Sequence, residues 1–362
     1  MDDSIIFEDA KKFLVFPSIP VRDAIEKIQI TGHRTVFVVD LNNTLLGVFS
    51  DGDMRRFILN NGKLNDPVSK AMNPSPVSFT DGQEKELKEQ IKSRSLLVYP
   101  ILNQRKQIIK IAYWTNNTNK IHPSQQLPNG TAVVIMAGGK GERLHPITKI
   151  LPKALIPIED IPICTRVINS FIKFDCRNFI IILNYKSEMI KAYYNDIHKE
   201  YALQFETENS FLGTAGGLYL LKNKIKNTCI VSNCDILVET DFSCIYKWHK
   251  KEGNLITFVG AIKEFPVPYG TINADSDGLI QSLQEKPSFS FLINVGVYIL
   301  EPEVINNLSG EYIDMPDLAR KYIAENKKVG VFPVSGNDWL DMGQFKEMEI
   351  MSQRLRAKYN NE

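Results

Sequence analysis

The chain has 362 residues, a length that favours two domains over one. Its 43 basic and 42 acidic residues leave a net charge of +1, which gives no electrostatic case for nucleic acid or an anionic membrane surface as a partner. Hydrophobic residues make up 43%, enough for ordinary cores, and no apolar run reaches the length of a membrane span. The start, Met1-Asp2-Asp3-Ser4, is acidic and no secretory signal follows it. Cys164, Cys176, Cys229, Cys234 and Cys244 contain no CxxC pair, which argues against a zinc site or a disulfide framework. Reduced, buried thiols in a cytoplasmic protein are expected. Cys234, beside Asp235, reads as a small strand-end residue and not as a nucleophile.

The first elements form a diverged repeat. Val21 to Ile30 has helical apolar spacing, Thr35–Asp40 reads as a strand, and Leu45–Ser50 as a second strand after a turn. Asp51-Gly52-Asp53 can cap a helix from Met54 to Leu59. The same order recurs with a helix at Glu84–Ile91, a strand at Leu96–Ile101, a turn at Asn103–Lys106 and a strand at Ile108–Trp114. Two such units can bury each other's sheets. The segment Gly47-Val48-Phe49-Ser50-Asp51-Gly52-Asp53 resembles the nucleotide element of a tandem CBS pair, a small α+β module. That resemblance implies a site for an adenine nucleotide, with Ser50 and Asp53 on the ribose and Arg55 and Arg56 within reach of phosphates. The other reading of Ser50 and Asp53 is a plain helix cap, and the sequence does not choose between them. The second repeat departs from the pattern, because Thr115-Asn116-Asn117-Thr118 lacks the Asp and Lys110 stands near the expected Gly. One intact site at most is expected. A role in a homo-oligomer is compatible with either reading.

Polar residues 116–130 carry no periodicity and read as a linker. The division expected is 1–120, a linker at 121–130, and 131–362. Beyond the linker, apolar runs alternate with helical stretches. Strands are expected at Ala132–Ala137, Phe179–Leu183, Leu203–Glu206, Thr228–Val231 and Leu255–Ala261. Helices are expected at Cys164–Phe174, Ser187–His198, Ala215–Lys222 and Phe242–Lys250. This order implies an α/β fold with a mostly parallel sheet. Strands near Tyr269–Asn273, Leu279–Leu283 and Phe291–Ile299 read as an inserted mixed element, followed by helices at Met315–Ile323 and Gln344–Lys358.

The most informative stretch runs from Val133 to Ile158. A buried-strand run ends in Ala137 and turns into Gly138, Gly139 and Gly141, whose backbone N–H groups can meet a polyphosphate. Arg143 and Lys153 place two cations beside the turn. Gly138-Gly139-Lys140-Gly141-Glu142-Arg143-Leu144, Pro146-Ile147-Thr148 and Pro152-Lys153 resemble the signature of sugar-phosphate nucleotidyltransferases, also called nucleotide-sugar pyrophosphorylases. Leu212-Gly213-Thr214-Ala215-Gly216-Gly217, Val231-Ser232-Asn233-Cys234-Asp235, Glu285-Lys286-Pro287, Asn294-Val295-Gly296 and Trp339-Leu340-Asp341 follow in that family's order.

The resemblance implies a Rossmann-like, GT-A-like catalytic domain. It also implies nucleotide contacts at Ala137, Gly138, Gly139, Gly141 and Gly213, and catalytic cations at Arg143 and Lys153. Asp235 and Asp341 are implied as ligands of Mg²⁺. Glu206, Glu285, Lys286 and Asn294 are implied as contacts to the sugar and its phosphate. The reaction implied joins a nucleoside triphosphate to a sugar 1-phosphate and releases pyrophosphate. A CBS pair fused to such a domain resembles guanylyltransferases that make GDP-activated amino sugars for bacterial surface glycans, including legionaminic-acid pathways. GTP and glucosamine 1-phosphate are expected on that resemblance; UTP or CTP, and mannose or heptose 1-phosphate, are the alternatives. The non-enzymatic alternative is an inactive transferase fold with a CBS pair that senses adenine nucleotides. Four retained charged residues (Arg143, Lys153, Asp235, Asp341) argue against it.

Overall fold

Short β-rich runs build the N-terminal region as two matching halves. In the first, Leu14–Val15 lies parallel to Thr35–Val39, which pairs antiparallel with Leu45–Ser50. In the second, Phe79–Thr80 lies parallel to Val98–Leu102, which pairs antiparallel with Ile108–Thr115. The helices Val21–Thr31 and Glu84–Ser93 fill equivalent places in the two halves. Phe37, Val39 and Val48 of the first half share one core with Val98, Leu102, Ile108 and Ile111 of the second, so the repeats do bury each other. Two features are additions to the sequence reading. Ser4–Glu8 forms a strand against Ile108–Thr115, and the helix expected from Met54 begins at Asp51 and runs to Leu59.

The structure is a computed structural model that describes residues 4–31, 33–93, 98–115 and 126–359. The expected linker falls partly outside those residues, as do Leu96 and Leu97 of an expected strand. Contacts divide the chain into two units. The first comprises Met1–Ser124, Ile262–Ile293 and Pro333–Ser335; the second comprises Gln125–Ala261, Asn294–Phe332 and Gly336–Glu362. From sequence, residues 262–293 read as part of the 131–362 domain. By contacts they group with the first unit: Ile262 joins the core of Val15, Val21 and Val36, and Arg22 lies 3.9 Å from Glu264. This excursion carries the antiparallel hairpin Thr271–Ala274 and Ile280–Gln284, with a bulge at Asn273/Ala274.

The second unit is organised by a seven-stranded sheet. Its order is Ala202–Thr207, Asn178–Leu183, Ala132–Ala137, Cys229–Asn233, Ser288–Leu300, Ile256–Pro266 and Val329–Ser335. The first four strands are parallel, and Ser288–Leu300 runs antiparallel to Cys229–Asn233. The apolar runs of the three inner parallel strands are largely buried on both faces, whereas the edge strand Ala202–Thr207 stays half-buried to exposed. Helices Ile163–Ile172, Ser187–Asp196, Phe242–Glu252, Met315–Ala324 and Phe345–Tyr359 stand close to their expected positions. The helix expected at Ala215–Lys222 is shorter: Gly213–Gly216 is helical and Gly217–Leu221 continues as a 3-10 turn. Val134, Ile182, Leu218, Val231 and Met315 share the core on one side of the sheet. Among the described residues no helix is long and apolar enough to cross a membrane.

Candidate active site

The order of the parallel strands creates one natural place for a ligand. From Ala132–Ala137 the chain adds two strands outward on one side, then crosses to add Cys229–Asn233 on the other. Ligands of open α/β sheets bind where the carboxyl ends of such strands diverge. The glycine turn leaves the first of these strands and Asp235 leaves the second. The Cys234 N–H donates to the Met136 carbonyl at 3.2 Å and holds the two ends together.

Each glycine of the turn has its own constraint. A side chain at Gly138 would stand 2.7 Å from Oε2 of Glu208 and 3.2 Å from Cβ of Asn184. Gly139 faces open space. Gly141 adopts φ +68° and caps the short turn Glu142–Leu144. The buried Thr148 hydroxyl donates to its carbonyl at 2.9 Å, and a side chain there would meet Thr148 and Lys153. The turn is thereby folded against the residue that opens Lys153–Leu155.

Lys153 donates its ammonium to the Asp235 carboxylate, and both side chains are largely buried. Asp235 leads into Ile236–Val238, which pairs antiparallel with Trp339–Asp341 and sets Ile236 opposite Asp341. The Met342 N–H closes this ribbon on the Asp235 carbonyl at 3.0 Å. Two carboxylates distant in sequence are thus delivered to one place. Burial, and then the negative charge of Asp235, push the Asp341 carboxyl above its ordinary range, while the Gly343 N–H, Lys153 and Arg143 oppose that rise. Gly343 donates to Oδ1 of Asp341 at 2.7 Å. A side chain at Gly343 would stand 3.0 Å from Asp341 and 3.3 Å from Nη2 of Arg143, so glycine is what lets the guanidinium approach.

This donor set fits a divalent cation of the Mg²⁺ type. Two carboxylates side by side repel each other, and a hard cation relieves that repulsion. Among the described residues no group of three or more His, Cys, Asp or Glu gathers as a metal site. The remaining positions would fall to water and phosphate oxygens, as is usual for Mg²⁺. Cys234 is no rival ligand: burial, then the Asp235 charge, hold its thiol well above the ordinary range.

The Leu212–Gly217 segment is fixed by residues far along the chain. Gly213 adopts φ +84°, and a side chain there would meet the Ile313 carbonyl at 2.7 Å. Thr214 donates from N–H and hydroxyl to Oδ1 of Asp314, at 2.8 and 3.0 Å, and Tyr312 donates its hydroxyl to Oδ2 at 2.9 Å. Thr214 in turn accepts from the Met315 N–H at 2.9 Å. Gly213 is therefore required first for close approach to the 313–314 backbone.

The other expected site residues lie as follows. Glu206 is paired with Lys224 at 2.6 Å. Asn294 donates to the Tyr298 hydroxyl at 3.0 Å and accepts from the Gly296 N–H at 3.0 Å. Glu285 and Lys286 are exposed residues of the first unit, with the Glu285 carboxylate beside Gly270. Ser50 and Asp53, also of the first unit, form a reciprocal cap. Asp53 accepts from the Ser50 N–H at 2.9 Å and from its hydroxyl at 2.6 Å, and it is ion-paired with Arg56.

Sequence reasoning passed over Glu208. It is 4% exposed, stands just past the end of Ala202–Thr207, and wedges its carboxylate between Gly138 and Gly217. Burial pushes it up to about 7, against a hydrogen bond from the Leu212 backbone. Its Oε1 is buried with no partner. The available signal was an acidic residue at a strand's carboxyl end, just before Leu-Gly-Thr; it was masked by Glu206, two residues earlier.

A family model described as nucleotidyl transferase matches residues 132–358, and one described as CBS domain matches residues 10–60. The chain is 30% identical over 234 residues to a mannose-1-phosphate guanylyltransferase catalytic subunit beta of Drosophila pseudoobscura pseudoobscura, covering 62% of each chain. It is 33% identical over 224 residues to a mannose-1-phosphate guanyltransferase of Pichia angusta, covering 59% of this chain and 61% of that one. The chain thus spans about three fifths of the length of these curated relatives. The crystal structure of HddC from Yersinia pseudotuberculosis shares the fold, with a TM-score of 0.50 at 23% identity, over 62% of this chain and 99% of that one.

Proposed function

We propose, from the premise that this chain belongs to the nucleotidyl transferase family, that it joins a nucleoside triphosphate to a sugar 1-phosphate and releases pyrophosphate. The observation that carries this reading is the meeting of Asp235, Asp341, Lys153 and Arg143 beside the glycine turn. The attacking oxygen belongs to a phosphate and is already anionic, so the reaction needs no general base. The work left to the protein is to hold two polyanions in line and to balance their charge. Ala137, Gly138, Gly139 and Gly141 offer backbone to the triphosphate. Arg143 faces the departing pyrophosphate, and Lys153 spans the α-phosphate and the incoming phosphate. Asp235 and Asp341 would hold Mg²⁺, which when bound neutralises charge on both phosphates. Glu206, Glu285, Lys286 and Asn294 orient the sugar in this reading, and Gly213 shapes the nucleotide side.

GTP is the nucleotide proposed, and the guanylyl names of the relatives support it. Glucosamine 1-phosphate is the acceptor proposed first, on the CBS-fused architecture. Mannose 1-phosphate is the second reading, favoured by the names of those relatives. Pyrophosphate release measured over four nucleotides and a panel of sugar 1-phosphates tests all of this. Release with GTP and one hexosamine or hexose 1-phosphate is expected; no release with any pair sinks the reaction.

A nucleotide at Ser50 and Asp53 is proposed as a regulator of the same enzyme. Binding has to displace Arg56 from Asp53 or use the Arg56 guanidinium on phosphate. Calorimetry with AMP and ATP tests it, and the absence of heat from both removes it.

A further inference from the structure

Strand Asn178–Leu183 lies beside Ala132–Ala137, and the residues that follow it reach across to the glycine turn. Tyr185 donates its N–H to the Gly138 carbonyl at 3.3 Å, which ties down the start of the turn. Its hydroxyl donates to the Thr148 carbonyl, also at 3.3 Å. Lys186 donates its ammonium to the carbonyls of Lys149 and Ile150, at 2.5 and 2.6 Å. Two adjacent residues thus hold both ends of the stretch from Gly138 to Ile150.

The far end of that stretch needs such a tie. Ile147–Ile150 is a single helical turn, and the last carbonyls of a helix have no N–H of their own helix to meet. Pro152, two residues on, brings no N–H. Only Thr148 of the four residues is buried, and Ile150 is 77% exposed, so packing does little to fix the turn. The Thr148 hydroxyl passes the constraint on to the Gly141 carbonyl at 2.9 Å. Lys153, three residues beyond Ile150, gives its ammonium to Asp235.

Lys186 keeps this place in a backbone conformation that suits glycine better. Its φ of +52° and ψ of +38° are left-handed, a region that most L-residues avoid. Its ammonium lies 5.3 Å from the centre of the Tyr185 ring, so the two side chains brace each other. A glycine would ease the backbone and lose both bonds to the carbonyls. We propose that Tyr185 and Lys186 are positioning residues, which clamp the Thr148–Ile150 turn and so fix where Gly141 and Lys153 meet the phosphates. In the nucleotidyl-transfer reading, on which this consequence rests, a loosened turn lets Lys153 drift from the in-line geometry, and a displacement of about 1 Å costs up to about 100-fold in rate.

Lys186→Gly is the deciding variant, because it removes the ammonium and relieves the backbone together. Hydrogen exchange of the full chain without substrate reads the clamp itself. Amides of residues 142–151 should exchange about tenfold faster or more in the variant, while those of Asn178–Leu183 keep the parent's rates. The urea midpoint should hold or rise. With the nucleoside triphosphate and sugar 1-phosphate that the parent uses, kcat should fall about tenfold or more, and the KM for the sugar 1-phosphate should move by less than about twofold. Lys186→Arg, whose guanidinium can donate to both carbonyls, should restore slow exchange and most of kcat. Tyr185→Phe should repeat the pattern at about threefold. Exchange unmoved in Lys186→Gly overturns the clamp. So does a fall in the urea midpoint with kcat per folded molecule unchanged, or an arginine no better than the glycine. A parent chain that turns over no substrate pair sinks the reaction instead, and the exchange rates still decide the clamp.

Discussion

Asp53 and Asp235 are both buried carboxylates held by a cation, yet they are built in opposite ways. Among the described residues, Asp53 takes its hydrogen-bond partners from within three positions: the Ser50 backbone, the Ser50 hydroxyl and Arg56. Helix capping accounts for all of them. Asp235 takes its cation from Lys153 and is brought beside a second carboxylate by a ribbon from Trp339–Asp341. No local rule of chain folding requires that meeting. A carboxylate satisfied by its neighbours explains itself through stability; one surrounded by groups gathered from the whole chain calls for a ligand.

The sharpest way to break this contrast is to cut the long-range site. Lys153→Ala should lower turnover by about 1,000-fold, the scale of losing a charge that stabilises the transition state, while the circular-dichroism spectrum holds. Near-normal turnover would reduce Asp235 to the status of Asp53.

Gly213→Ala tests whether distant contacts also fix the backbone. The residue sits at φ +84° with the Ile313 carbonyl at 2.7 Å from its would-be side chain, so the variant should lose about 3 kcal/mol in urea unfolding. An unchanged midpoint would mean that the 313 loop yields freely.

Glu208→Gln sharpens the comparison through pH. The folded carboxyl sits at about 7, above its unfolded value, so the native state binds the extra proton. Below the unfolded value the wild-type residue costs nothing. Its cost grows as pH rises through the window up to about 7 and is complete above it. Glutamine removes that cost, so the variant should gain about 2 kcal/mol at pH 8 and little at pH 4, read from thermal melts at both pH values. The smallest effect belongs to the local site: Ser50→Ala should cost about 1 kcal/mol, the usual worth of a helix cap.

The contrast also explains what could be read from the chain alone. Ala132–Ala137 and Asn178–Leu183 were readable because buried parallel strands are continuous apolar runs. Helix Phe242–Glu252 was readable from its apolar spacing. The glycine turn was readable as an apolar run that ends in three glycines, whereas Asp235 and Asp341 were found through family resemblance, since spacing says nothing about residues that meet across a sheet. Glu208 was missed for the same reason: its meaning lies in Gly138 and Gly217, which approach it from the glycine turn and from the 3-10 turn Gly217–Leu221. The contacts of residues 262–293 were not readable because Ile262 and Glu264 take partners from the opposite end of the sequence. Strand Ser4–Glu8 escaped notice because an edge strand owes its form to its neighbour Ile108–Thr115.

The excursion leaves and rejoins the sheet on strands that are neighbours, Ile256–Pro266 and Ser288–Leu300. It is therefore a graft on a continuous frame: the tip between Ala274 and Ile280 can be lengthened or trimmed without re-threading the strands that carry Asp235 and without moving Glu285 and Lys286 along the sequence.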